Sequence, residues 1–242
     1  MTAPLFDTIL EHAGDQLFTV YVDHHDPKRL AELWKLVHKI EELYYSAGLR
    51  ELIPFLTSLG PAPNLKVLHL RPEFNVGVWD VLDLSDLPTI FSGRLPSLRD
   101  LAISYVIASS WPVGLFGGLV SLECGTFEHY PIALAPVLDA LRSSPSFEIL
   151  RLVGWMLPES FNPPAVRLPS LKKCVLIGDG PITPIRYIAI PATTLMFLSK
   201  SYPDEPSLIF SNFNDYSVEP ALRVLGEISA VSFSITDHVL WL

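Results

Sequence analysis

Apolar residues in this chain recur in one fixed phrase, proline-x-apolar-x-x-apolar-x-apolar. It reads PNLKVLHL from Pro63, PSLRDLAI from Pro96, PSFEILRL from Pro145 and PSLKKCVL from Pro169. Numbering the first apolar residue as position 1, the pattern is 1, 4 and 6, as in Leu65, Leu68 and Leu70. Positions 4 and 6 share a face because side chains alternate along a strand. Position 1 reaches the same core from the turn before it. The proline fits that corner, where its missing N–H breaks no ladder bond. Looser copies are Leu17, Val20, Val22; Ile40, Leu43, Tyr45; Leu119, Leu122, Cys124; Ala192, Leu195, Phe197; and Ile228, Val231, Phe233. Repeats therefore start near residues 17, 40, 65, 98, 119, 147, 171, 192 and 228, with gaps of 21 to 36 residues.

The connectors carry a different period. Leu30, Leu33, Trp34 and Val37 fit the i, i+3, i+4, i+7 stripe of a helix, as do Leu49, Leu52, Ile53 and Leu56. Leu134, Val137, Leu138 and Leu141 repeat it behind Pro131. Leu5, Phe6, Ile9 and Leu10 suggest an opening helix over about residues 2–13. Strands alternating with helices predict a parallel sheet with helices on one side. Strands pack about 4.8 Å apart and helices about 8–10 Å, so such a stack must bend. The expected architecture is an α/β leucine-rich-repeat solenoid, L-x-x-L-x-L, forming one domain over residues 1–242. Its sheet lines the concave side; helices and irregular connectors take the convex side. The longest excursions fall at residues 71–94 and 199–227.

Composition agrees with a continuous buried core: 49% of the 242 residues are hydrophobic and 18% charged, with no linker or low-complexity tract. Net charge is −9, which disfavours nucleic acid or an anionic membrane as the main partner. The opening MTAPLFDTILEHAGD has acids and no basic flank, unlike a signal or transit peptide. No apolar run reaches the ~18 residues of a membrane span. Cys124 and Cys174, the only two cysteines, each stand where the repeat places a core leucine. A disulfide framework is not expected, and an intracellular setting, cytoplasmic or nuclear, is favoured.

Signals for chemistry are few. His24, His25 and Asp26, beside Asp23, offer metal-ligand types, yet adjacent residues of a strand point oppositely, and Asp26 suits a helix cap before Pro27. Asp80, Asp83 and Asp86 recur every third residue, which is the wrong spacing for a calcium loop. Trp79-Asp80 is an isolated propeller-type dipeptide, and Asp179-Gly180 a turn signal. There is no nucleophile elbow, phosphate loop or dinucleotide fingerprint. No catalytic residue, cofactor or metal is assigned. The better candidates are positions 3, 5 and 7, which point away from the core. Tyr21, Glu42, Tyr44, His69, Arg71, Glu123, Arg151 and Lys173 would line one open, protein-binding surface.

The stretches DQLFTVYVD, LPSLRDLAI, PIALAPVLDALRSSPSFEILRL, VRLPSLKKCVLIGDG and IPATTLMFL resemble the repeat region of the F-box-like proteins of mushroom-forming fungi. Val137 to Leu152 fits the family's helix-then-strand phrase L-x-x-x-L-x-x-x-P-x-L-E-x-L-x-L closely. The resemblance implies a non-enzymatic substrate-recognition arc of a cullin-type ubiquitin ligase, its partner a ubiquitination substrate. Family members carry an amino-terminal F-box that docks the ligase adaptor subunit. Such a segment is missing from the 242 residues, so adaptor docking is expected only where an F-box precedes them. Alternatives are a truncated structural remnant without a partner, or a metal-dependent hydrolytic enzyme using Asp23–Asp26.

Overall fold

A computed structural model of the chain describes residues 14–22, 35–46, 48, 52, 56, 60–71, 82–83, 95–104, 106–107, 117–125, 132–156, 164–178, 184–199 and 232–233. The expected opening helix, His24, His25, the Asp23 and Asp26 carboxylates, Trp79, Asp80, Asp86, Asp179, Gly180, Ile228 and Val231 lie outside these residues. So do most of the two helical stripes at 30–37 and 49–56, and most of the excursions at 71–94 and 199–227.

Nine strands form a single sheet in chain order: Phe18–Val22, Ile40–Tyr45, Val67–Leu70, Asp100–Ser104, Ser121–Gly125, Ile149–Val153, Lys173–Ile177, Leu195–Ser199 and Ser232–Phe233. We call them rungs one to nine. Every pairing among the described strands is parallel. Parallel neighbours cannot be joined by a tight hairpin, so the chain must travel round and return between rungs. The result is a parallel-sheet solenoid. Short parallel pairs mark the return path: Leu82–Asp83 with Val106–Ile107, Ile132–Ala133 with Trp155–Met156, and Val166–Arg167 with Ile188–Ala189.

Register aligns like positions of successive repeats. Leu43, Leu68, Leu101, Leu122, Leu150, Cys174 and Met196 stand side by side and are all buried. Tyr45, Leu70, Ile103, Cys124, Leu152 and Leu176 form the next buried row. Position 1 adds Ile40, Leu65, Leu98, Leu119, Phe147 and Leu171. Burying one such side chain fully stabilises by about 1.5–3 kcal/mol, which makes this triple row the main source of cohesion. From rung two to rung seven the observed core is the expected one.

The repeated proline has a concrete role. The amides of Leu65, Leu98, Phe147 and Leu171 donate to the carbonyls of Ala62, Leu95, Ser144 and Leu168, closing a four-residue turn with proline second. That place suits proline because its fixed φ matches the turn. The residue after proline then ties coils together. Asn64 Nδ2 donates to the His38 carbonyl at 2.6 Å, Ser97 Oγ to that of Pro63 at 2.6 Å, and Ser146 Oγ to that of Leu119 at 3.2 Å.

Two rungs depart from the expected phase. In rung one the register slips between Phe18 and Thr19, so Phe18 rather than Leu17 pairs with Ile40. Leu17 is accordingly 40% exposed instead of buried. In rung eight Pro191 accepts the turn bond, from Thr194, rather than occupying the second place. The turn moves one residue towards the strand. Met196 enters the core at 3% exposure while Leu195 is 47% exposed and Phe197 half-buried, so the Ala192, Leu195, Phe197 phase is overturned. Phe233 of rung nine stands in register with Leu198.

One connector helix is described in full, α1 at Leu134–Arg142. Leu134, Val137, Leu138 and Leu141 are all buried, as their spacing requires. Pro136 sits in the first turn, where an amide would lack an intrahelical acceptor anyway. Leu52 and Leu56 are helical and fully buried. The other described connector helices are short 3-10 turns, Val37–Lys39 and Pro184–Tyr187.

Candidate functional site

Alternation along a rung sends positions 3, 5 and 7 away from the buried rows. Because register aligns like positions, these residues form columns across the open face of the sheet, the position-7 column being paired from Ser104 onward. Position 5 runs Tyr21, Tyr44, His69, Ala102, Glu123, Arg151, Val175, Phe197. Position 3 runs Thr19, Glu42, Val67, Asp100, Ser121, Ile149, Lys173, Leu195. All eight residues named from the sequence lie on this face, but in separate groups: Tyr21, Glu42, Tyr44 and His69 adjoin one another, Arg71 and Arg151 meet at Glu123, and Lys173 lies apart beside Phe197.

The amino-terminal end is aromatic and acidic. Tyr21, 71% exposed, stacks on Tyr44 with ring centroids 4.8 Å apart and planes 11° from parallel. His69 meets the other side of Tyr44 edge-on, also at 4.8 Å. Glu42 Oε2 accepts hydrogen bonds from Thr19 Oγ1 and from Tyr44 Oη, both at 3.2 Å. Burial, and then the nearby Glu42 charge, push the Tyr44 phenol above its usual pKa. His69 Nε2 lies 3.4 Å from Asp100 Oδ1. That separation is long and poorly aligned, so this buried nitrogen has no proper acceptor. The imidazole beside Asp100 still holds the carboxyl below its usual range, helped by the Ser121 hydroxyl and the Arg71 charge and opposed by burial.

The middle is charge-balanced. Arg71 Nη2 reaches Glu123 Oε2 at 3.2 Å, and Arg151 Nε approaches Oε1 of the same carboxylate at 3.9 Å. Arg71 reaches across the intervening rung over the small Ala102 and Ser104, with Asp100 farther along the same rung. These half-exposed pairs contribute little to stability, about 0–1 kcal/mol each, but they fix where the two guanidiniums sit.

The carboxy-terminal end is apolar. Ile149 is 41% exposed, Leu195 is similarly open, and Val153, Val175, Ile177 and Phe197 are half-buried beside them. Lys173 Nζ lies 5.7 Å from the Phe197 ring centroid, within cation–π range. Asp100, Ile149, Leu195 and Phe197 also belong to this face, in addition to the eight residues expected from the sequence. The period of two does place Asp100 and Ile149 outward, whereas Leu195 and Phe197 were hidden by the shifted turn. The Asn or Ser after each repeat proline was a visible signal for the turn ladder.

Among the described residues, no group of three or more His, Cys, Asp or Glu side chains is arranged to hold a metal ion. No described helix is long and apolar enough to cross a membrane. Both cysteines are free and buried. Burial pushes the Cys174 thiol up to about 12 and raises that of Cys124 as well, so neither is a ready nucleophile. No protein-family model and no curated protein matches the chain.

Proposed function

We propose that the chain is a non-enzymatic recognition module of the leucine-rich-repeat type, whose open sheet face binds another protein. The observation that carries this reading is the continuity of the outward columns at positions 3 and 5. They join exposed Tyr21, Ile149 and Leu195 into one surface rather than scattering them round the solenoid. Tyrosine and arginine anchors beside an apolar patch are the composition of a binding surface with a desolvated centre. Resemblance to fungal F-box-like repeat regions supports a ubiquitination substrate as that partner, within the cytoplasm or nucleus. Recruitment of a ligase adaptor would belong to an F-box preceding these residues in a longer chain.

Photo-crosslinking tests the reading. A crosslinkable residue at Tyr44 or at Val175, on the open face, should capture the same protein from cell extract. One at Asp139, exposed on α1, should not. Equal capture from all three positions, or none from the face, refutes it.

A further inference from the structure

Among the described residues, the three basic side chains of the open face are already engaged: Arg71 and Arg151 share Glu123, and Lys173 lies over Phe197. The carboxylates at the amino-terminal end are placed differently. Glu42 is held by two neutral hydroxyls, those of Thr19 and Tyr44. Asp100 faces the His69 imidazole. Among the described residues, neither carboxylate forms an ion pair with a lysine or arginine. They stand two rungs apart in one column, about 10 Å, with Val67 between them. The adjoining column supplies the Tyr21, Tyr44 and His69 rings. Tyrosine rings present negative faces, so rings and carboxylates attract the same kind of ligand, a cation.

Among protein cations, arginine fits best. Its guanidinium is flat and weakly hydrated, stacks on an exposed ring and pairs with a carboxylate through two N–H groups. Lysine offers a compact, strongly hydrated charge with no plane to stack. We propose that this end of the open face binds an arginine side chain of a protein partner, stacked on the free outer face of Tyr21 and paired with Glu42. The inference rests on the protein-binding reading of the face and narrows it to one chemistry.

The test uses the full chain with isotope-labelled tyrosine, titrated with N-acetyl-arginine amide while the Tyr21 and Tyr44 ring resonances are followed. N-acetyl-citrulline amide has the same shape without the charge, and N-acetyl-lysine amide has the charge without the plane. The arginine probe should give saturable shifts at both rings, with affinity at least about fivefold above either control. Glu42→Gln, which keeps the acceptor for Thr19 and Tyr44, should lower arginine affinity by a similar factor; Lys173→Gln, at the far end, should leave it unchanged. Equal shifts from citrulline or lysine, no saturable shift from arginine, or indifference to Glu42→Gln overturns the assignment. If the face captures a protein by crosslinking while the arginine probe fails, only this inference falls. If both fail, so does the protein-binding reading.

Discussion

Met196→Ala and Leu195→Ala, neighbours on one rung, should differ sharply in cost. Met196 is 3% exposed and aligned with Cys174, so its truncation removes three heavy atoms from a packed row. At roughly 0.8 kcal/mol per buried methylene-sized group this is about 2.4 kcal/mol, before any cavity term. The cavity term brings the expected loss to about 2.5–3.5 kcal/mol. Leu195 is 47% exposed, and its truncation removes as many atoms, but about half of that surface already faces water. Its cost should be about 1 kcal/mol or less. Urea unfolding followed by circular dichroism measures both, with a lower midpoint at unchanged slope as the signature of Met196→Ala. Hydrogen exchange of the Leu195–Ser199 amides covers the case in which this rung opens ahead of the rest. The phase in which Ala192, Leu195 and Phe197 face the core predicts the reverse ranking. Leu195→Ala costing more than Met196→Ala would refute the placement of this rung.

Two further outcomes follow from the buried and charged groups. Cys124 and Cys174 should resist an aromatic disulfide reagent in the native chain and react together once urea unfolds it; rapid reaction of either in native buffer would contradict their burial. Asp100 has a folded pKa below its ordinary 3.8, so it binds protons more readily when unfolded. Its stabilisation is then present in full above about pH 5 and lost as pH falls through the folded value. The stability gap between wild type and Asp100→Asn should therefore narrow below about pH 4. A gap constant from pH 6 down to the acid transition would show that His69 and Asp100 are not coupled.

Sequence periodicity fixed the core of rungs two to seven because the 1, 4, 6 spacing there coincides with an unbroken turn-strand unit. It failed where a backbone detail changed the phase. At rung one the slip beside Thr19 replaces Leu17 with Phe18 in the pairing. At rung eight Pro191 occupies the first place of the turn rather than the second, and every later side chain shifts by one. Helix α1 was legible because four buried residues follow the helical stripe over nine residues. The two-residue strands of the return path are too short to display any period. On the open face, period two revealed which residues point outward but not which of them meet. Arg71 and Glu123 are 52 positions apart and joined across an intervening rung, so their contact depends on rung register and on a small Ala102, neither of which sequence separation reveals.

Alignment of like positions in adjacent coils also bears on how such a chain can diverge. Each coil from rung two to rung seven inserts its own buried trio and presents its own outward residues, so the two sets can vary separately. Gaining or losing a whole coil would slide the aromatic, charge-balanced and apolar zones past one another by one strand spacing, about 4.8 Å, without disturbing any trio. If the face binds a partner as proposed, chains with different coil numbers would present the same chemical vocabulary at different separations and discriminate ligands by length.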